Sequence, residues 1–332
     1  MKNLVSIFAG HDANVSFWNS KTDKYYTIEL ERLVKKRYYR LHEDHSHLEQ
    51  GAILAECQSI ASREWGIEND YETILISSDG YVNTEPRLIF NTDSVKTIAS
   101  HHMTHAASAF YQSPFKRALI VSYDGGGDDG HFNIYYGHED GLKLLEVIPS
   151  DFGSGYMLFG SFIKEVAQTS RHQLALSGKL MGLCGYGKLN QNSIVQYIPA
   201  FQEFLFDRDY KKLAKKTGLP LKNLDDPFTF PPGPLSNFIL EGQEGYDLAA
   251  VAQEAFENAF FSVLDQYDQD SPLILTGGCA LNVLVNEKVK DKYNRPLYVP
   301  PNPHDGSLSL GHMFLYRKPS QKVDITYAGL PL

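Results

Sequence analysis

Two stretches of this chain share one layout, and that layout limits what the chain can fold into. Apolar residues at 3–9 and 15–18 flank the turn GHDAN (10–14), and the runs RALIVSY and HFNIYYG flank the turn DGGGDDG (124–130). Asp and Gly between two β-rich runs force a tight reversal, so each stretch reads as strand, acidic glycine turn, strand. The similarity is one of layout and not a sequence repeat. It predicts a duplicated α/β architecture, with one hairpin opening each half.

The remaining elements fill in around these hairpins. YYTIEL predicts a third strand, and ERLVKKRYYRLHEDH a charged connector. Ile53, Leu54, Cys57, Ile60 and Ala61 keep a 3.6-residue rhythm that predicts a helix over 48–65. ETILISS reads as a buried strand, and a helix over 101–111 ends at Ser113-Pro114. Helical patterns occupy 156–168 and 246–266, and SPLILTGGCALNVLVNEKVKD reads as strand, Gly-Gly turn, helix. Residues 218–236 hold five prolines and predict an irregular excursion without a domain boundary.

Composition excludes several classes. With 42% hydrophobic and 21% charged residues, the 332-residue chain is globular and long enough for two lobes. A formal net charge of −9 argues against a duplex nucleic-acid binder, which neutralises phosphates with excess Lys and Arg. Cys57, Cys184 and Cys279 are odd in number and far apart, so neither a disulfide framework nor a CxxC metal site is available. That usage suits a reducing cytoplasm. The apolar run at the N-terminus is broken by Gly10, His11 and Asp12 before it could act as a signal or a span, and no membrane segment is expected.

The stretch HHMTHAASAF (101–110) carries the sharpest chemistry. His101 and His105 are spaced i,i+4, which on a helix puts both imidazoles on one face with their Cβ atoms about 6 Å apart, close enough to share one ion. Asp124 follows in the glycine turn. Histidines that merely belong to a surface or a core remain the plain alternative. In DGGGDDG, backbone N–H groups of Gly125, Gly126 and Gly127 can approach phosphate while a carboxylate holds the accompanying metal, although a simple hairpin loop has the same composition. TGGCALN is a strand-to-helix turn of the nucleotide-binding type. Asp305 in NPHDGSLSLG is, by itself, an N-cap candidate. SDFGSGYMLFGSF and LALSGKLMGLCGYGK are glycine-rich stretches where backbone could approach a ligand or another helix.

In order along the chain, GHDAN, ERLVKKR, HHMTHAASAFYQSPF, DGGGDD, GSGYMLF, LSGKLMGLCGYG, TGGCALNVLVN and NPHDGSLSLG resemble the carbamoyltransferase family that acts on nodulation factors and antibiotics. Eight ordered blocks cover nearly the whole chain. The resemblance implies an actin-like ATPase fold, a duplicated ribonuclease-H-like design whose two lobes enclose a nucleotide and metal cleft. It divides the chain into lobes 1–115 and 116–320 and a tail, 321–332.

The same resemblance implies a reaction. An acceptor hydroxyl on a small molecule, sugar or modified nucleoside attacks carbamoyl-adenylate, which is made from carbamoyl phosphate and ATP. His101, His105, Asp124 and Asp305 would bind a divalent ion, with Fe2+ the first expectation and Mg2+ a further cofactor to consider. His102 is left as an outer or structural residue. His11 and Asp12 are the catalytic pair, and Gly125, Gly126, Gly127, Gly153, Ser154, Gly277, Gly278, Asn282 and Lys36 the nucleotide-binding set. Arg32, Lys35 and Lys36 offer charge to a phosphate or an anionic acceptor, or form a solvated connector. The excursion at 218–236 and the pairs Tyr25-Tyr26 and Tyr38-Tyr39 are where an acceptor pocket would be sought. The tail ITYAGLPL resembles the approach to a second domain that makes carbamoyl-adenylate, so a separate activating domain or subunit is expected as a partner. An ATP-dependent kinase of the same fold, or a non-catalytic nucleotide-binding module, is the alternative.

Overall fold

The computed structural model describes the chain except residues 42–45, 79–81, 83–84, 171, 220–239, 268, 326–327 and 330–332. Nearly all of the proline-rich excursion at 218–236 therefore lies outside the described residues.

Two five-stranded sheets are wired identically. In the first, β1 (Asn3–Phe8) pairs antiparallel with β2 (Asn14–Asn19), and β2 with β3 (Lys24–Glu29); on its other side β1 runs parallel to β4 (Tyr71–Ser77), which pairs with β5 (Val95–Ile98). In the second, β6 (Ala118–Tyr123), β7 (Phe132–His138) and β8 (Gly141–Val147) repeat the meander, and β9 (Leu273–Thr276) and β10 (Leu297–Tyr298) repeat the parallel extension. The orders β3-β2-β1-β4-β5 and β10-β9-β6-β7-β8 superpose strand for strand. The duplication read from the two turns is thus a duplication of whole sheets. The strands at 95–98, 141–147 and 297–298 were not legible beforehand, because they are short or, in β8, exposed along most of their length.

β1 and β6 are buried on both faces, as central strands must be. Val5 and Ile7 of β1 face the helix His47–Trp65, whose start is fixed by a Ser46/Glu49 capping box and whose end by Gly66 in a left-handed conformation. On the other face, Leu4 joins Trp18, Tyr25 and Leu75 under Leu310, Met313 and Phe314 of the last helix, Leu308–Arg317. The outer face of the second sheet is covered by the Phe152–Ser161 and Gly242–Leu264 helices, and its inner face by the histidine helix, His101–Gln112.

The two inner helices are exchanged between the lobes. The histidine helix follows the first sheet in the chain but lays Ala106, Ala109 and Phe110 on the second; the last helix follows the second sheet but covers the first. They cross at Gly311, where a Cβ would stand 2.4 Å from the Thr104 carbonyl oxygen. The tail turns back over the first lobe, where the Val323 N–H donates to Tyr111 O and Thr27 N–H donates to Ala328 O. Among the described residues, no helix is long and apolar enough to cross a membrane.

Because backbone lies on the far side of the crossing, overpacking there cannot be relieved by a rotamer change. Gly311→Val is expected to lower unfolding stability by about 3 kcal/mol or more in urea titration. Gly178→Ala, in a helix with nothing within 4 Å of the new methyl, is expected to be neutral or to stabilise by about 0.5–1 kcal/mol.

Candidate functional site

The site lies where the ends of β1, β6 and β9 and the start of the last helix meet between the lobes. The histidine helix supplies its first two parts. Ser100 precedes it in a left-handed backbone conformation (φ 109°) and places no side-chain cap on it. The caps come instead from the acidic half of the second glycine turn. Asp128 accepts from the N–H groups of Ser100 and His101 (2.8 Å to the latter), and Asp129 from those of His102 (2.8 Å) and Met103. Two carboxylates at the helix N-terminus satisfy its open donors and its positive dipole end. Sequence reading assigned this loop to phosphate and missed its capping role; the signal was a first helical turn with no acidic residue of its own.

His101 and His105 then face the same way, their Nε2 atoms 3.1 Å apart. His105 Nε2 is 3.2 Å from Asp305 Oδ1 and 3.4 Å from Asp124 Oδ2, and His101 Nε2 is 3.5 Å from Asp305 Oδ1. Ligand atoms of all four residues lie within 4.8 Å of one another. An ion with bonds of about 2.0–2.2 Å to N and O spaces its neighbouring ligands by roughly 3.0–3.5 Å, so the four residues fit one divalent cation. Two imidazole nitrogens aimed at each other between two carboxylates are hard to satisfy with protons alone. Asp124 is held by the N–H groups of Gly125 (2.6 Å) and Gly278, which bring both glycine turns to it. Behind His105, Nδ1 is buried without a hydrogen-bond partner, so packing and not an outer acceptor fixes that ring.

His11 and Asp12 adjoin the four. His11 Nδ1 is 3.0 Å from Asp12 Oδ2, and its Nε2 is 3.3 Å from Asp305 Oδ2. Asp12 occupies the left-handed region (φ 57°), a strained setting that Asp tolerates better than most residues. Asn14, which was not singled out as a site residue, binds the turn to its neighbour: its Nδ2 donates to the carbonyls of Asp12 (2.7 Å) and Asp305 (2.9 Å), and its Oδ1 accepts from Ser309 N–H and Oγ. Its position within GHDAN was the available clue. His304 Nδ1 stands 3.8 Å from Asp12 Oδ2 at the rim.

The electrostatics follow from buried carboxylates facing imidazoles. Burial pulls His105 down, but hydrogen bonds and charge from Asp124 and Asp305 lift it to about 9. His11 is likewise pulled down by burial and raised further by Asp305, Asp12 and Asp124, again to about 9. Burial pushes Asp305 up, yet His11, His101 and His105 hold it at about 2, and Asp124 is held below the ordinary carboxylate range, burial being outweighed by His105 and the Gly278 N–H. The cluster demands positive charge.

Several other expected residues gather here. A Cβ on Gly153 would meet Gly125 N at 2.5 Å, and Ser154 Oγ donates to Gly125 O. Gly277 adopts φ 89° with its Cα against Tyr123 O, where a Cβ would come to 2.2 Å, so only glycine fits. Gly127 packs on His101 and His102, while Gly126 borders His131. Asn282 is turned inward: it caps the Val283–Tyr293 helix through Val285 N–H and pairs with the Gln253 amide. Lys36 is exposed after the short helix Leu30–Val34, where its N–H closes onto Glu31 O, and Arg32 pairs with Glu29. Tyr25 packs on Phe314, and Tyr26 stacks on Trp65 at 4.5 Å, so both serve the first-lobe core.

His102 points away from the cluster. Its Nε2 is 2.9 Å from Gly130 O and its Nδ1 2.9 Å from Ser122 Oγ, an arrangement that a neutral ring satisfies by donating to the carbonyl and accepting from the hydroxyl. Burial first, then the neighbouring histidines, lower it to about 4; burial lowers His312 to about 3. Their folded-state affinities for a proton lie below the unfolded value, so the stability they permit is present at neutral pH and is lost as pH falls from about 6.5 toward 4. Thermal unfolding midpoints are expected to drop across that window, and His102→Gln to reduce the proton uptake on unfolding by about one.

Comparison with known proteins gives the family and the fold. Residues 13–312 match the family described as carbamoyltransferase N-terminus. The nodulation protein NolNO of Sinorhizobium fredii is 28% identical over 225 residues, 65% of this chain and 30% of that protein. The uncharacterized protein MJ1051 of Methanocaldococcus jannaschii is 28% identical over 222 residues, 64% of this chain and 39% of its own length. The chain thus spans well under half of these curated relatives. A crystal structure of full-length HypF in its phosphate- and nucleotide-bound form superposes with a TM-score of 0.53 at 12% identity, covering 95% of this chain and 46% of that one. The fold is the actin-like ATPase fold, and the chain belongs to the carbamoyltransferase N-terminus family.

Proposed function

We propose that this chain transfers a carbamoyl group from carbamoyl-adenylate to an acceptor hydroxyl, with His11 as general base. The observation that carries the reading is the His11–Asp12 pair set against a buried group of two histidines and two aspartates. A divalent cation held by His101, His105, Asp124 and Asp305, with Fe2+ the first candidate, would supply the positive charge that polarises a carbamoyl or phosphoryl oxygen.

The chain's own residues do the rest. Asp12, 3.0 Å from His11 Nδ1, fixes the ring so that Nε2 faces the cleft, the orienting role a carboxylate plays behind a catalytic imidazole. His11 keeps its proton against burial chiefly because Asp305 lies beside it, so neutralising Asp305 returns the imidazole toward the form that can accept a hydroxyl proton. Gly125, Gly153, Ser154 and the Gly277-Gly278 turn border Asp124, the side on which the adenylate phosphate would bind. The acceptor then approaches from the His11 side. Formation of carbamoyl-adenylate from ATP and carbamoyl phosphate falls to a further domain or subunit in this reading.

The purified chain, supplied with Fe2+, carbamoyl-adenylate and a pool of hydroxyl acceptors, is expected to yield O-carbamoyl product and AMP by mass spectrometry. His11→Asn is expected to cut kcat by about 10²–10⁴. Product formation at the wild-type rate by that variant would remove His11 from the base role, and no product with any acceptor would overturn the reading. Given ATP and carbamoyl phosphate alone, the chain is expected to release no pyrophosphate.

Cation binding is checked separately. Titration calorimetry at pH 7.5 in buffers of different ionisation enthalpy should give one site per chain with release of about one proton or more, because His105 must surrender its proton to become a ligand. His105→Ala should abolish that site.

A further inference from the structure

The turn that carries His11 and Asp12 is held from outside itself. On one side, Asn14 ties it to Asp305 and to Ser309 of the last helix. On the other, residues 37–41 pass it as a strap: Tyr39 O accepts from Ala13 N–H (3.0 Å) and Leu41 N–H donates to Ala9 O (3.1 Å), so the strap bonds both flanks of the turn. Tyr39 and Leu41 are fully buried and anchor the strap in the first-lobe core. Because Asp12 sits in the left-handed region (φ 57°), the turn depends on these outside bonds to keep its shape.

One strap side chain crosses to the second lobe. Tyr38 takes a left-handed backbone conformation (φ 56°), which a tyrosine adopts only where its surroundings hold it, and its N–H donates to Glu31 Oε2 (3.2 Å). Its ring stacks on His172, with centroids 4.7 Å apart and planes inclined by 27°. His172 is a firm base for that stack: its Nδ1 accepts from Leu174 N–H (3.2 Å) and its carbonyl from Ala175 N–H (3.0 Å), which fixes it to the start of the Ala175–Leu183 helix. Among the described residues, every other ring contact that joins the two lobes involves the last helix, which already packs on the first sheet. The Tyr38–His172 stack is thus made when the lobes close and broken when they part.

We infer that His172 is a positioning residue for His11: by stacking on Tyr38 it holds the strap against the turn and keeps the imidazole facing the cleft. The inference deepens the function proposed above and rests on the base role given there to His11. A side chain of one lobe then orders a turn of the other, so closure of the cleft and alignment of the base favour each other. A base aligned only in the closed cleft does not act on water while the cleft is open.

Hydrogen exchange of the Ala13 and Leu41 amides, followed by mass spectrometry without any substrate, tests the link. His172→Ala is expected to speed exchange at both by about fivefold or more, and His172→Phe, which keeps a ring to stack, to stay within about twofold of wild type. Exchange in the His47–Trp65 helix should not change in either variant. Wild-type exchange at Ala13 and Leu41 in His172→Ala overturns the inference. So does an equal rise in both variants, or a rise shared by the His47–Trp65 helix, which would report a loosened lobe and not a loosened strap. In the transfer assay with carbamoyl-adenylate and the pool of hydroxyl acceptors, His172→Ala is expected to form product about tenfold more slowly and His172→Phe at close to the wild-type rate. Wild-type protein that transfers nothing, yet shows the expected exchange pattern in its variants, would sink the proposed reaction and leave the Tyr38–His172 link standing.

Discussion

One backbone contact sets the spacing of the buried histidine–aspartate cluster. At Gly311 the last helix comes against the carbonyl of Thr104 with no room for a methyl group. Thr104 is flanked by the helical positions that carry His101 and His105, and Gly311 lies six residues beyond Asp305. The depth of that crossing therefore fixes how far the two imidazoles stand from the carboxylate that faces them. A wider crossing would leave two buried aspartates without their counter-charges, at a cost well above that of the lost packing.

The site is also an answer to a packing problem created by duplication. Two identically wired sheets each need a helix on the inner face, and the exchange of helices lets both be covered while the two helices touch each other. Polar residues at this seam are consequently buried and must pair with one another. Ser6 meets His312, Ser16 meets Ser309, and Asn14 reaches across the seam to both Asp305 and Ser309. The cluster of His101, His105, Asp124 and Asp305 is the most highly charged part of the same buried polar layer.

The sequence was readable where a residue type has one physical use. The i,i+4 histidines, the glycine between β9 and its helix, and the central strands with their unbroken apolar runs all appear where the local pattern puts them. Asp305 was different: locally it is an N-cap candidate, only the resemblance to a family block implies a ligand there, and the structure brings it within 3.2 Å of His105. Residues whose use depends on distant partners stayed hidden. Nothing near Asp128 or Asp129 says that they cap a helix more than twenty-five residues earlier, and Asn282 reads as a ligand residue until its cap and its Gln253 partner are seen. His102 could not be sorted from His101 by spacing alone, since both lie within one turn of His105; the Ser122 and Gly130 oxygens sort them.

The exchange of helices has a consequence for the chain as it is being made. The inner face of the first sheet, with Leu4, Trp18, Tyr25 and Leu75, is complete by residue 98, yet its covering helix is not synthesised until residues 308–317. At ribosomal speeds of about 5–20 residues per second, that face waits on the order of ten seconds or more without its cover. A nascent chain of this design carries an exposed apolar sheet through more than two hundred residues of synthesis before its cover exists. Premature termination anywhere before the last helix leaves both the greasy surface and the half-built charge cluster open, which makes such fragments natural clients for chaperones.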